Sequence, residues 1–333
     1  MARAVENRAW ESTLAFWKNR DPRCLVNNRY YRRLRGPGVA GHAVADLDRE
    51  TVAALVADPD APFRQRGVRL LKDSRSSTVA ELEILHEGRP RRVIYKRFRV
   101  TAWSDPWAAL VRRSPALRSW VFGHGLRERC LPTARPLLVL HRVRAGLRRE
   151  GYLLCEKIED AVDLHGFVRS LAGRPPAEAR RALHSCIDAV ARTVRLLHRC
   201  RLSHRDLKAA NLLVTGDLER PAVPYQPLDA VSPGGGISSL LPLPASPVWF
   251  IDLVGVRLHA HLSRGRRAQN LARLSASFLQ SAALTRTDKL RFLRAYLVWN
   301  VKGRGAWKSW WRAIARATEA KVARNLQRGR VLG

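Results

Sequence analysis

Residues 202–215 read LSHRDLKAANLLVT, and within them His204, Arg205, Asp206, Leu207 and Asn211 keep the spacing H-R-D-L-x-x-x-N, with Lys208 two places after the Asp. That spacing is the pattern of a loop that catalyses phosphoryl transfer. Such transfer needs little covalent help; a hydroxyl must be placed in line with a phosphate and the charge neutralised. Asp206 is expected to accept the hydroxyl proton, Lys208 to lie beside the transferring phosphate, and Asn211 to hold a Mg2+ ion. The plainer reading is an Asx-rich turn whose Asp and Asn bond only their own backbone. Five specified positions at fixed spacing favour the chemical one.

Other stretches supply what such a loop needs. In RVIYKRFRV, residues Ile94, Lys96, Phe98 and Val100 are expected on one strand face. A lysine among apolar neighbours is costly unless it meets an anion. Val93-Ile94-Tyr95-Lys96 thus stands for V-A-I-K, with Lys96 on the α- and β-phosphates of ATP; a snorkelling strand lysine is the alternative. Its usual partner is a Glu on the next helix, yet residues 107–127 contain no acid, Asp105 comes early and Glu128 late. That ion pair is either missing or built differently. Upstream, KDSRSST between two apolar runs suggests a phosphate-covering turn in which Ser74, Ser76 and Ser77 offer donors, although the glycine positions of such a loop fall on Lys72, Ser74 and Ser77. A plain hairpin turn would look the same. Downstream, VWFIDLVGVR ends an apolar strand in Asp252, expected as the second metal-holding residue, with Asp252-Leu253-Val254 in place of D-F-G. An ordinary strand-end Asp capping a turn is the weaker alternative.

Positioning these residues requires a particular order of elements. Strands are expected at 137–140 and 152–156, the second running into EKIEDAVDL, where backbone groups near Glu156 and Ile158 would meet an adenine. Leu183, Ile187, Val190, Val194 and Leu197 recur at steps of four and three, the stripe of a buried helix that ends where the loop begins. Between Gly216 and Pro247 lie seven of the chain's 18 prolines and Gly234-Gly235-Gly236, an exposed insertion that interrupts a hairpin. Further on, a helix is expected to begin near His261 and no A-P-E follows, which argues against a peptide acceptor.

The 333 residues allow about two domains. Lys and Arg number 61 against 28 Asp and Glu, a net charge of +33, which points to anionic partners or to a compositional bias toward Arg. From residue 262 on, 17 basic residues meet two acids, and Trp307, Trp310 and Trp311 interleave with them. That stretch suits an anionic membrane interface or, equally, a terminal helix packing its tryptophans inward. Nucleic acid is the less favoured partner. The five cysteines are widely spaced without a C-x-x-C pair, as in reduced, buried thiols. No signal segment or apolar run of membrane-spanning length is seen, so the expected place is the cytoplasm, peripheral to the inner face of the cell membrane.

Taken in order, Lys96, His204-Arg205-Asp206, Asn211 and Ile251-Asp252-Leu253, with the phrases LLKDSRSSTV, LPTARPL and WFIDLVGVR, resemble the bacterial lipopolysaccharide kinase family over roughly residues 66–300. These are protein-kinase-like enzymes that phosphorylate heptose or Kdo of the inner core. The resemblance implies an α+β, bilobal protein-kinase-like fold with a small β-rich N-lobe and a larger helical C-lobe. It implies an N-terminal extension over 1–65, the N-lobe over 66–158, and the C-lobe over 159–333 with the insertion at about 216–247. It further implies ATP and Mg2+ as cofactors and a lipid-linked saccharide of the lipopolysaccharide core as acceptor. The alternatives are a protein or small-metabolite kinase, and a non-catalytic kinase-shaped scaffold on anionic surfaces. A pure binder has no need for Lys96, Asp206, Asn211 and Asp252 together.

Overall fold

A computed structural model describes residues 23–86, 88–100, 113–216, 247–279, 281, 283–297 and 306–329. The chain divides into two units, the first holding the described residues up to Cys130 and Ala134–Ile158, the second Leu131–Thr133 and the described residues from Glu159 onward.

The first unit is built on one antiparallel sheet of seven strands. They are β1 (Tyr31–Gly36), β2 (Val39–Val44), β3 (Arg69–Asp73), β4 (Ser77–His86), β5 (Arg89–Phe98), β6 (Pro136–Arg144) and β7 (Leu147–Glu156). Their order is β1-β2-β6-β7-β5-β4-β3. The sheet therefore reaches back into residues 31–44, ahead of position 66. Gly41 permits this: a Cβ there would lie 2.0 Å from the Val139 carbonyl oxygen on β6. Helix α1 (Arg49–Ala57) follows β2, and α2 (Pro115–Glu128) packs on β6 and β7. Ser114 caps α2 by accepting from Leu117 N, with Pro115 preset for the first turn. Trp120, wholly buried, donates from its indole to Cys24 O at 3.0 Å and so fixes the start of the described chain to the helix.

On β5 the two faces are covered differently. Val93 and Tyr95 are fully buried, Tyr95 stacking on Tyr152 and Phe63 and donating to Pro59 O at 2.9 Å. Ile94 and Lys96, on the opposite face, are only half-buried. Lys96 thus stands on the open side of a central strand, between Val79 on β4 and Leu153 on β7.

The second unit has short sheets among helices. Strands β8 (Val162–Asp163), β10 (Leu212–Val214) and β11 (Val248–Phe250) form one sheet, and β9 (Leu202–His204) pairs with β12 (Val256–Leu258). The described helices are α3 (Leu164–Ser170), α4 (Pro176–Arg199), α5 (Arg264–Ala276), α6 (Arg286–Leu297) and α7 (Ala306–Gln327). All five stripe residues of α4, from Leu183 to Leu197, are buried. Strands β10 and β11 are the expected interrupted hairpin: Val214 faces Val248, and Thr215 N donates to Pro247 O at 3.0 Å. The insertion between them, like Trp10, Phe16 and Trp17, lies outside the described residues. The terminal tryptophans turn inward. Trp310 meets Tyr296 edge-on at 6.0 Å, with the Arg264 guanidinium 4.8 Å over its ring. None of the five cysteines forms a disulfide. Among the described residues no helix is long and apolar enough to cross a membrane.

Candidate active site

Helix α4 ends at Arg199, and a turn through Arg201, in the left-handed region at φ 54°, leads into β9. His204 closes that strand, wholly buried, and holds two segments together. Its Nε2 donates to Ile251 O at 3.2 Å and its Nδ1 accepts from Asp206 N at 3.2 Å. Those partners require the neutral ring, and burial first of all holds the His204 pKa below its ordinary 6.5, against the pull of Asp206 and Asp252. One side chain thereby ties the backbone before Asp252 to the backbone of Asp206.

The loop brings its functional groups onto one carboxylate. Asn211 Nδ2 donates to Asp206 O at 2.8 Å and to Asp206 Oδ2 at 3.0 Å. Lys208 Nζ lies 3.2 Å from the same Oδ2. With the amide nitrogen of Asn211 committed, its amide oxygen is the atom left to meet a cation. Asp206 itself is exposed, as an acceptor of a substrate proton must be. Ile251 N donates to Asn211 O at 3.1 Å, which sets Asp252 directly beyond Asn211. Asp252 adopts the left-handed conformation, φ 55° and ψ 59°, a state that costs a non-glycine residue energy and clusters at functional sites. Gly255 is needed close by, because a Cβ there would press on Asp206 N at 3.2 Å and Arg205 N at 3.4 Å. Arg205 N donates to Gly255 O at 2.9 Å across this approach.

The second unit thus unites four of the expected residues, Asp206, Lys208, Asn211 and Asp252. The first unit carries the others. Lys96 Nζ lies 4.7 Å over the Phe98 ring. The late acid Glu128 sits at the end of α2, where burial pushes its carboxyl up to about 7 and where it bears on Cys24 and Tyr31. In the turn between β3 and β4, Ser74 Oγ donates to Ser77 O at 3.0 Å, and Ser77 is buried. Ser76 O accepts from Arg99 N at 3.0 Å. Ser74 thus braces the backbone of its own turn. Glu156 N donates to Arg135 O at 2.9 Å, Lys157 Nζ lies 2.5 Å from Glu81 Oε1, and Ile158 is the last described residue of the first unit.

Three positioning residues escaped the sequence reading. Asn270 Oδ1, buried in α5, accepts from His204 N at 2.8 Å. Ser277 Oγ accepts from Ala209 N at 3.1 Å. Thr133 Oγ1 donates to Phe250 O at 2.7 Å, which explains the phrase LPTARPL as a brace under the strand that delivers Asp252. The available signal was a lone Asn within the apolar stripe of α5, because a buried amide demands a partner.

This fold and this loop define a protein-kinase-like phosphotransferase. Residues 104–221 match the model of the lipopolysaccharide kinase (Kdo/WaaP) family. By that match the chain is a kinase, and over this segment it is similar to the lipopolysaccharide kinases. None of the curated proteins matches the chain. Among solved structures, one described as "WaaP in complex with acyl carrier protein" is 22% identical, with a TM-score of 0.51, covering 82% of this chain and 97% of the other. That likeness supports the fold. A Stt7 homolog from Micromonas algae soaked with ATP is 11% identical, with a TM-score of 0.38, covering 70% of this chain and 56% of its own.

Proposed function

We propose that the chain transfers the γ-phosphate of ATP to a sugar hydroxyl of a lipid-linked saccharide of the lipopolysaccharide core. The observation that carries this reading is the exposed Asp206 carboxylate, held by Asn211 and Lys208 inside the segment that matches the lipopolysaccharide kinases. Asp206 takes the proton of the attacking hydroxyl, and Lys208, 3.2 Å from its Oδ2, adds positive charge where negative charge is transferred. Lys96 is assigned to the α- and β-phosphates, the Ser74–Ser77 turn to covering them, and the backbone of Glu156 and Ile158 to the adenine.

The donors present suit Mg2+. Asn211 and Asp252 offer hard oxygen ligands, and no group of three or more His, Cys, Asp or Glu able to hold a metal is found among the described residues. Mg2+ is commonly held in this way, by one or two protein oxygens together with substrate phosphates. When bound it would supply charge neutralisation on those phosphates.

A small acceptor fits better than a peptide. The segment after Asp252 is tied down at once, Val256 pairing with His204, and α5 starts at Arg264 with Ser263 as its cap. Little chain remains for a platform on which an extended peptide could lie. Labelled ATP offered with lipopolysaccharide inner-core acceptors and with a generic Ser/Thr peptide should mark the core at least 100-fold faster. Comparable labelling of the peptide would overturn the reading.

A second partner is favoured by one observation. The helices α3 to α7 enclose a mostly apolar pocket of about 320 Å³ lined by Leu183, Ile187, Val190, Leu271, Phe278 and Trp311. In view of the solved complex of WaaP with acyl carrier protein, we assign this pocket to an acyl chain carried by such a protein. Gel filtration should show a complex with acylated but not with unacylated carrier, abolished by Leu183→Trp. Equal binding of both forms would remove the pocket from the account. Contact of the basic face with an anionic membrane remains part of the proposal as an ionic-strength-dependent attraction.

A further inference from the structure

The inward face of α7 follows Trp311, Ile314 and Thr318 at steps of three and four, and the next position on it is Lys321. Trp311, Ile314 and Thr318 line the apolar pocket, but Lys321 continues their stripe as a half-buried cation. Arg324 is three residues on. Helix α5, against which α7 packs, carries Arg273 one turn before Ser277, the residue that accepts from the catalytic loop at Ala209 N. Arg205 and Lys208 belong to the loop itself, Lys208 lying 3.2 Å from Asp206 Oδ2.

These charges act on one another. Burial, then the Arg273 charge, hold the Lys321 ammonium below its ordinary range, and Asp206 opposes them. Burial, then Arg205 and Arg324, do the same to Arg273, again opposed by Asp206. Among the described residues Lys208 is ion-paired with Asp206, whereas Arg205, Arg273, Lys321 and Arg324 form no ion pair with a carboxylate. Arg273 donates instead to Gln269 O of its own helix at 3.3 Å. Like charges held together at the cost of desolvation are stabilised by a bound anion. Arg273 and Lys321 stand on α5 and α7, two packed helices of which the first is tied to the loop of Asp206 through Ser277 Oγ and Ala209 N at 3.1 Å.

We propose that Arg273, Lys321 and Arg324 form an anion subsite for the acceptor, so that the hydroxyl delivered to Asp206 is one lying beside a phosphate or a carboxylate. The proposal rests on the phosphotransferase reading above and adds to it the chemistry by which the acceptor is chosen. It also gives part of the basic C-terminal stretch a role within the site.

The test is a kinetic split. In the Lys321→Met, Arg324→Met double variant the KM for inner-core acceptor should rise at least ten-fold, with kcat and the KM for ATP within two-fold of the parent. Lys321→Arg should restore much of the loss, which a role in packing alone would not allow, and Arg192→Gln on α4 should change nothing. Acceptor stripped of phosphate and acceptor with its carboxyls reduced identify the recognised group, since only the loss of that group should make parent and double variant alike. An unchanged acceptor KM, or a rise in the KM for ATP instead, would overturn the proposal. Should the parent phosphorylate no core at all, the functional reading falls separately. Inorganic phosphate then decides the subsite: it stands if phosphate raises the melting temperature of the parent but not of the double variant, and fails if both respond equally.

Discussion

Asp206→Asn should lower kcat by about 10² to 10⁴ and leave nucleotide affinity within two-fold, because removing a general base costs roughly that factor. The substitution is nearly isosteric. The bond from Asn211 Nδ2 to the backbone oxygen of residue 206, at 2.8 Å, survives it, as does the bond from its backbone N to His204 Nδ1 at 3.2 Å. What is lost is the carboxylate that accepts the proton and that Lys208 faces. Asp252→Asn should behave differently, weakening Mg2+-dependent nucleotide binding, since a ligand oxygen is impaired and the proton acceptor is not. Steady-state turnover together with calorimetric nucleotide affinity separates the two. Unaltered turnover in Asp206→Asn would withdraw the assignment of the base.

Both units should lose stability steeply as pH falls below 6.5. In the first, burial foremost holds the His141 pKa at about 3, while its Nε2 meets Ser114 Oγ at 2.6 Å. In the second, burial again foremost holds His198 at about 3. Its Nε2 faces Asn270 Oδ1 at 3.4 Å and its Nδ1 faces Tyr296 Oη at 2.7 Å. The amide oxygen can only accept, so Nε2 carries the proton and Nδ1 accepts from the tyrosine hydroxyl. Each ring is neutral when folded, whereas the unfolded chain takes up a proton near the ordinary 6.5. Their contribution is complete above that value and is lost progressively as pH drops toward 3. At pH 5 the loss is about 2 kcal/mol for each histidine. Urea unfolding followed at pH 7.5 and pH 5 measures it. Equal midpoints at the two pH values would show that these rings are not held neutral.

The catalytic loop was legible because its chemistry is contiguous. Asp206, Lys208 and Asn211 fall within six residues, and no long-range contact is needed to see them as one group. Helix α4 was legible because its buried stripe recurs with a helical period. What the sequence concealed depends on partners distant along the chain. Asn270 and Ser277 matter only because α5 lies against the loop, and Lys321 only because α7 lies against α5. Strand β5 is a further case. Its alternation offers two apolar faces, and only the stacking of Tyr95 between Phe63 and Tyr152 decides which is covered. Nor does local pattern announce that β1 and β2 extend the sheet, since that depends on the close approach of Gly41 to β6.

The clasp at Thr215 and Pro247 bears on how this sequence can change over time. Because Val214 and Val248 already face each other, the ends of whatever lies between them are held together by strand pairing. Lengthening a loop whose ends are so fixed costs slowly, about 0.6 kcal/mol for each doubling. Selection on the fold therefore exerts almost no pressure on the length of that interval. The β10–β11 crossing is thus a place where this chain can gain or shed length while Asp206 and Asp252, one on either side of it, keep their positions.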